Sequence, residues 1–570
     1  MWQKRLRLAI ALFVAIFVIV LVVSLRRGRQ ATKTVVTAPP QLPKDVVSTG
    51  GKGHVDTRTE NKSGISLTFG RQTTYADGRK KLEDGVTLEL PDKGGRSIKV
   101  ESKEAELKPR EGKQVGDAVF SGGVKLTTSD GIVITAPTAT YNDTEQMVRI
   151  PGPVSFSKGR MSGSGVGATY DQARAVLWLL EHAKVDVAPD KDGGGVVHMT
   201  AKTAGMARND HYMKFQGDAR IEGQGSIITS DDVTAYLTEN DERMTRMELR
   251  GNAHIAGKPE SGGPQDMRAK DIDLGYAEDG RTLQSARLTE NASMQLPGEQ
   301  GKAGRRIAGR LIDVTLGPDG STVTNLAANE NVQVDLPAER DTPARRIRSA
   351  SLLAAGSGQP GGGIQAATFS GDVEFRESRA ARGKTPALER TAKSARMDLK
   401  TKPGFGDIEQ ASFHTNVHFT DGAKTTADAP MAVYVIGQDR LDLSPGEGEK
   451  GRGPHVSDGR ISVEAARISM MLSTQVLKAD TNVRSLMLAS KASAKTEGGV
   501  RMPSMLKQDQ PVNVKSNRLD YDGANSVAIY DGNARLWQDE TTIRGDKVTL
   551  EDKTGNLRAI GNVVTTMALT

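Results

Sequence analysis

Residues 514–563 read VKSNRLDYDGANSVAIYDGNARLWQDETTIRGDKVTLEDKTGNLRAIGNV, and the pattern in this stretch decides the fold. Apolar and polar residues alternate over short runs, and the runs are punctuated by Gly beside Asn or Asp. Alternation with period two puts one face of a strand in a core and the other in water. Asn or Asp beside Gly tolerates positive φ and closes tight turns. The segment therefore reads as a run of short antiparallel strands.

The same motif recurs upstream. Gly217-Asp218-Ala219, Gly251-Asn252-Ala253, Gly371-Asp372-Val373, Gly532-Asn533-Ala534 and Gly561-Asn562-Val563 share one form. Asn291-Ala292, Asn331-Val332, Asn416-Val417 and Asn482-Val483 are looser copies. From Asn252 the steps are 39, 40, 41 and 44 residues, as far as Asn416. A gap of 66 then leads to Asn482 and contains SPGEGEKGRGP at 444–454. Between the turns lie strands that often end in Tyr, at Tyr141, Tyr170, Tyr236, Tyr276 and Tyr521. Each repeat is read as two strands and two turns. One unit alone cannot bury its apolar face, so the units must stack. Roughly twelve units are expected between residues 115 and 570, in two facing sheets about 55–60 Å long. Gln172–His182 has some helical character but falls in register with the repeat and is read as a strand.

Composition agrees with a β architecture. There are 62 Gly in 570 residues, and aromatic residues make up only 4%. The net charge of +7 is a mild excess, with no basic block interleaved with aromatics, so a nucleic-acid partner is not expected. A mildly basic surface suits anionic lipid head groups. With no cysteine, thiolate catalysis, disulfides and Cys-based metal sites are excluded.

Leu8–Leu25 (LAIALFVAIFVIVLVVSL) carries no charge and as a helix would span about 27 Å, close to a bilayer's hydrocarbon thickness. No small-x-small cleavage site follows it, so it reads as an uncleaved anchor. Basic residues flank both of its ends; the short N-terminal tail is the simpler cytoplasmic part, which leaves the body outside the cytoplasm.

The segments Val514–Tyr521, Ala528–Leu536, Thr542–Leu550 and Leu557–Val563 together resemble the OstA-like repeat of the lipopolysaccharide-export bridge proteins, LptA and LptC. Residues 199–255 carry the same order. One N-terminal span followed by β repeats resembles LptC in particular, though this chain is several-fold longer. The resemblance implies an all-β fold, an extended β-jelly-roll or folded-sheet repeat stack after one N-terminal transmembrane helix. The implied organisation is a cytoplasmic tail (1–7), the transmembrane helix (8–25), a linker (26–59) and an LptC-like β module (60–195). OstA-like β repeats (196–440), a Gly/Pro-rich insertion (441–458) and a C-terminal OstA-like β module (459–570) follow. It implies an inner-membrane, single-pass protein with its body in the periplasm and an apolar slot for lipopolysaccharide or related glycolipid. Its implied partners are an inner-membrane ABC transporter and other OstA-like β proteins.

Leu519, Tyr521, Ile529, Ala534, Leu536, Val548 and Leu550 are the expected lipid-binding residues. Leu557, Ile560, Val563 and Val564 are the expected edge strand for a partner. Trp537 and the strand-end tyrosines either line the slot or fill the core; the pattern leaves both open. Ala, Val, Ile and Leu at inward positions are expected to leave the slot vacant for acyl chains, each buried methylene contributing about 0.8 kcal/mol.

Catalytic signatures are missing. The chain has no G-x-S-x-G elbow, Walker A loop or dinucleotide fingerprint, so no enzyme and no cofactor is expected. His414 and His418 have a helix-type metal spacing but a strand-like context, which would put them about 13 Å apart, so no metal is expected. Gly50-Gly51-Lys52-Gly53 and 446–453 read as linkers. The competing reading is a membrane-tethered structural or adhesive β-solenoid with no lipid cargo.

Overall fold

The computed structural model describes residue 43 and residues 45–567, apart from 57–64, 91–96, 109–116, 143, 190–194, 224, 241–242, 258–262, 299–303, 340–341, 357–361, 383–385, 447–452, 489–504, 508–509 and 552–553. Among these residues the helical content is one 3₁₀ turn, Ile436–Gln438, and the rest of the regular structure is antiparallel strand. The expected anchor at 8–25 lies outside the described residues. Among the described residues no helix is long and apolar enough to cross a membrane. The chain divides into two compact units, residues 1–257 with 276–281, and residues 258–275 with 282–570.

The Gly-Asn and Gly-Asp pairs correct the sequence reading. Except at Gly561-Asn562, they do not join two strands; they bend a single strand in its middle. Strand Met244–Gly257 runs through Gly251 and Asn252, at φ 77° and 50°. Strand Val527–Gln538 runs through Gly532 and Asn533, at 78° and 51°. Glu290-Asn291, Glu330-Asn331, Thr415-Asn416 and Thr481-Asn482 hold the same pair of left-handed conformations without Gly. Across the bend two residues of one strand oppose one of its neighbour: Gln216 faces Asp232, and the next pair is Ala219 with Ser230. Such a bulge turns the strand sharply. Successive bends fall side by side and form a crease, with the two halves of every strand on different arms.

The crease sets the inward phase. Residues two and four places before and after the first bend residue point into the core. For Gly371 these are Ala367, Phe369, Val373 and Phe375; for Glu330 they are Leu326, Ala328, Val332 and Val334, all buried. At the mid-strand bends of the long strands the residue just past the bend is a small apolar one, Ala or Val (Ala253, Ala292, Val332, Val417 and Ala534, for example), and it is buried. Strands between the bent ones often carry Ser at the crease. Ser230 Oγ donates to the carbonyls of Arg250 and Gly251 at 2.9 and 3.0 Å. Ser349, Ser394 and Ser516 each donate to the carbonyl two residues on, at 2.8, 2.9 and 2.7 Å. The buried hydroxyls are thereby satisfied.

In the N-terminal unit the earliest layers are broken at the crease instead of bent. Val46–Gly50 pairs with Arg71–Tyr75 on one arm, and Gly53–Asp56 pairs with Ser66–Phe69 on the other. Residues 46–56, assigned to a linker from sequence, thus form the first layer, and Gly51-Lys52 lies at its crease. In the second unit Arg440–Ser444 and His455–Ser457 pair with the two halves of Thr425–Val435. The Gly/Pro-rich insertion falls at this break, and the 66-residue gap holds an additional pair of broken strands. Gln172–His182 contributes the strand Val176–Val187, as expected, with the bend at His182, φ 50°.

Candidate lipid slot and closing edge

The two arms of each unit face each other with aliphatic and aromatic side chains between them. In the C-terminal module the inward set is Leu519 and Tyr521, then Ala534 and Leu536, then Val548 and Leu550, all of them buried. Cross-strand register brings Leu519 opposite Tyr530 and Tyr530 opposite Val548. Six of the seven expected lipid-binding residues therefore lie together on the inner face.

Ile529 does not. It pairs with Asp520 and Thr549 on the outer face, because Ala528 and Tyr530 on either side of it point inward. Tyr530, fully buried, is the inner residue that the sequence reading missed. Its signal was present: it stands two places before Gly532. Val514 and Ile543 were missed as well and are buried on the same face. Trp537 lies outside, between Lys515 and Arg535, each 5.6 Å from its ring centre. Tyr141 and Tyr170 are buried, whereas Tyr236 is half-buried under the Arg246 guanidinium, 4.4 Å from the ring centre.

The expected vacant channel is closed at several points of both units. In the first unit the space between Val100, Leu126 and Ile134 on one arm and Phe120, Val148 and Ile150 on the other is about 10 Å³, room for one water at most. In the second unit Phe375 meets Phe413 from the opposite arm, ring centres 5.9 Å apart, and Phe419 meets Tyr434 at 6.2 Å. Ser485 and Tyr530 form a hydrogen bond across the arms at 2.6 Å. Inward aromatic rings fill volume that an all-aliphatic lining would have left empty.

Polar clasps join the arms near their free rims. In the first unit Arg208 pairs with Asp130. In the second, Arg390 Nη1 donates to Tyr434 at 2.8 Å and also pairs with Asp439, while the Tyr434 hydroxyl donates to Glu377 at 3.1 Å. Burial pushes the Tyr434 phenol up and the Glu377 carboxylate adds to that, so the hydroxyl stays a donor. Burial works downward on Arg390, but the hydrogen bond to Asp439 and the nearby acids outweigh it and the guanidinium stays charged. Glu377 is held from its other side by Arg345 at 2.9 Å. Nearer the C-terminus Arg460 donates to Gly523 O and Ser526 Oγ at 3.0 and 3.1 Å, and Tyr521 donates to Asp458 at 3.1 Å.

The last layer is open. Asn556–Ile560 and Val564–Thr566 both pair with Thr541–Glu551 and, among the described residues, with no further strand. The bend at Gly561-Asn562 sets its faces. Leu557 and Val563 lie toward the interior, half-buried and exposed respectively, and Ile560 and Val564 lie outside and exposed. All four expected edge residues belong to this last layer, Val563 in the bend between its two strands.

The histidines that raised the metal question stand on either side of a bend on strand Ile408–Asp421. His414 lies 3.1 Å from Asp398, and His418 lies 2.7 Å from Asp428.

Two stretches of the chain match known families. Residues 14–188 match the family described as lipopolysaccharide-assembly, LptC-related. Residues 487–568 match the LptA/(LptD N-terminal domain) LPS transport protein family. No curated protein matches. Among solved structures, the crystal structure of LptH, the LptA homologous periplasmic component of the lipopolysaccharide transport device from Pseudomonas aeruginosa, aligns at 8% identity. That alignment covers 25% of this chain and 95% of LptH, with a TM-score of 0.21. The chain thus carries LptC-related sequence in one unit and LptA/LptD-type sequence in the other, both of lipopolysaccharide-transport families.

Proposed function

We propose that this protein is a membrane-anchored periplasmic scaffold that takes lipopolysaccharide acyl chains between its arms. It passes them from an inner-membrane ABC transporter toward the outer membrane. The observation that carries this reading is the apolar inner face of the C-terminal module, which runs out to an unpaired strand with Val563 exposed. An acyl chain entering there replaces contacts between apolar side chains with contacts of the same kind. The cost of parting the arms then falls mainly on the clasps, at roughly 1.5–3 kcal/mol for each hydrogen bond to a charged group. The apolar run 8–25 supports anchoring, and the LptC-related match begins inside it. The unpaired last strand supports addition of another β protein.

A photo-crosslinker placed at Leu536 or Tyr530 should capture lipid in cells, while one at Ile529 or Asp520 should not. Capture from the outer pair alone would refute the slot. The closed interior favours a second reading, a tethered structural β-solenoid with no cargo. Mass spectrometry of lipid co-purifying with the intact chain separates the two.

A further inference from the structure

A groove of about 500 Å³ opens at one rim of the second unit, where strands Arg305–Leu316, Val323–Leu336, Ala344–Gly356 and Ile364–Arg379 end or begin. Four of its lining residues are arginines, Arg306, Arg345, Arg346 and Arg376, against one acid, Asp335. Arg345 is committed inward to Glu377. The other three stand in a cross-strand row: Arg306 faces Asp335, Asp335 faces Arg346, and Arg346 faces Arg376. Three strand spacings make that row about 14 Å long.

The row is electrostatically unbalanced. Asp335 accepts hydrogen bonds from Arg346 at 2.6 Å and from the Gln333 amide at 2.7 Å, so it offsets only one of the three arginines. Arg376 turns away to Glu389, and Arg306 forms no ion pair with any described residue. Arginines directly opposite each other on neighbouring strands destabilise a sheet. Guanidinium forks gathered in a concave site suit phosphate oxygens, which accept paired hydrogen bonds. One residue along from these arginines, on the inner face, are Ile307, Val334, Ile347 and Phe375, all fully buried. Leu336, Pro337 and Ala344, at the strand ends, line the groove beside the arginines and are its apolar side.

We infer that this groove binds the phosphate of a glycolipid head group whose acyl chains enter between the arms beside it. The inference rests on the lipid-slot reading and adds the recognition of charge to it. The test uses the full chain in a nonionic detergent with three probes: lipid A, enzymatically dephosphorylated lipid A, and inorganic phosphate. The variant is R306Q with R346Q and R376Q, all at exposed positions. It should bind lipid A at least about tenfold more weakly at low salt and leave the dephosphorylated lipid within about twofold. The wild-type preference for the phosphorylated lipid should shrink as salt rises. Equal loss for both lipids, or no loss for either, overturns the proposal while leaving the slot standing. Inorganic phosphate binding as tightly as lipid A overturns the head-group assignment in favour of a free-anion site. Failure of the wild type to bind either lipid sinks the slot reading and this proposal with it.

Discussion

The Arg390 guanidinium donates to the Tyr434 hydroxyl at 2.8 Å from the opposite arm of the bent sheet. Register fixes that placement: Arg390 pairs with Asp421 beyond the bend of its neighbour, and Tyr434 pairs with Ala411 before it. The contact spans the interior. Y434F keeps the ring against Phe419 but removes the hydroxyl shared by Arg390, Glu377 and Asp439. A loss of about 1–2 kcal/mol is expected, read as a lower urea midpoint. The arms should also part more readily, so lipid capture at Leu536 should rise. An unchanged midpoint would show that the clasp contributes nothing.

The crease makes its own demand on Gly532. At φ 78° an added Cβ would lie 2.8 Å from Asn517 Nδ2 and 2.9 Å from Asn517 Cβ. Gly532→Ala should therefore destabilise the chain by about 1–2 kcal/mol or more from backbone strain alone. Gly152→Ala is the control, since a Cβ there meets nothing within 4 Å and φ is not positive. Equal effects of the two substitutions in thermal denaturation would contradict the crease geometry.

Acid should act on one hairpin turn through Asp319. Burial works upward on its carboxyl, but hydrogen bonds from the Thr322 hydroxyl and from the backbone N–H groups of Thr322 and Ser321 prevail and hold it down at about 2. The folded value lies below the unfolded one, so the stabilisation is present above pH ~4 and is lost as pH falls toward 2. An NMR titration should place the Asp319 midpoint near 2. Asp319→Asn should flatten the stability profile over that window. A midpoint near 4 would remove the effect.

Charge on the last strand should block its extension. Ile560 and Val564 are 45% and 58% exposed on the outer face, so lysine at both positions leaves the core untouched. Lysine on an exposed edge opposes pairing with a further strand. I560K with V564K should abolish end-on assembly with another OstA-like protein in light scattering, with the thermal midpoint unchanged. Persistent assembly would move the docking surface elsewhere.

The strands and their inward faces were largely legible because period-two alternation is a local signal. Leu519, Leu536 and Val548 were placed correctly from it. Ile529 was not: its run, Ala528-Ile529-Tyr530, is apolar throughout, and alternation cannot choose a phase there. The Gly532-Asn533 bend fixes that phase, but only once it is known to lie inside a strand. From sequence, Gly-Asn looks the same in a hairpin turn and in a mid-strand bend, since both need positive φ. The vacant channel was the larger error. Whether Phe375, Phe413, Phe419 and Tyr434 meet depends on which residues face each other across the arms, and their sequence separations give no hint of it. The proposed function is accordingly that of a slot that opens, in place of one that stands open. Arg306, Arg346 and Arg376 come from three strands, so their row is a property of register that no single segment displays.

The bend in mid-strand also governs how the protein comes apart. Because one strand supplies both arms, peeling it away strips a full slice from each at once, and neither arm can melt while its opposite stays whole. Each such slice touches little beyond its two neighbours. Force applied along the stack would therefore undo it slice by slice from an end, each step releasing a similar length of chain, like a zipper with teeth of even size.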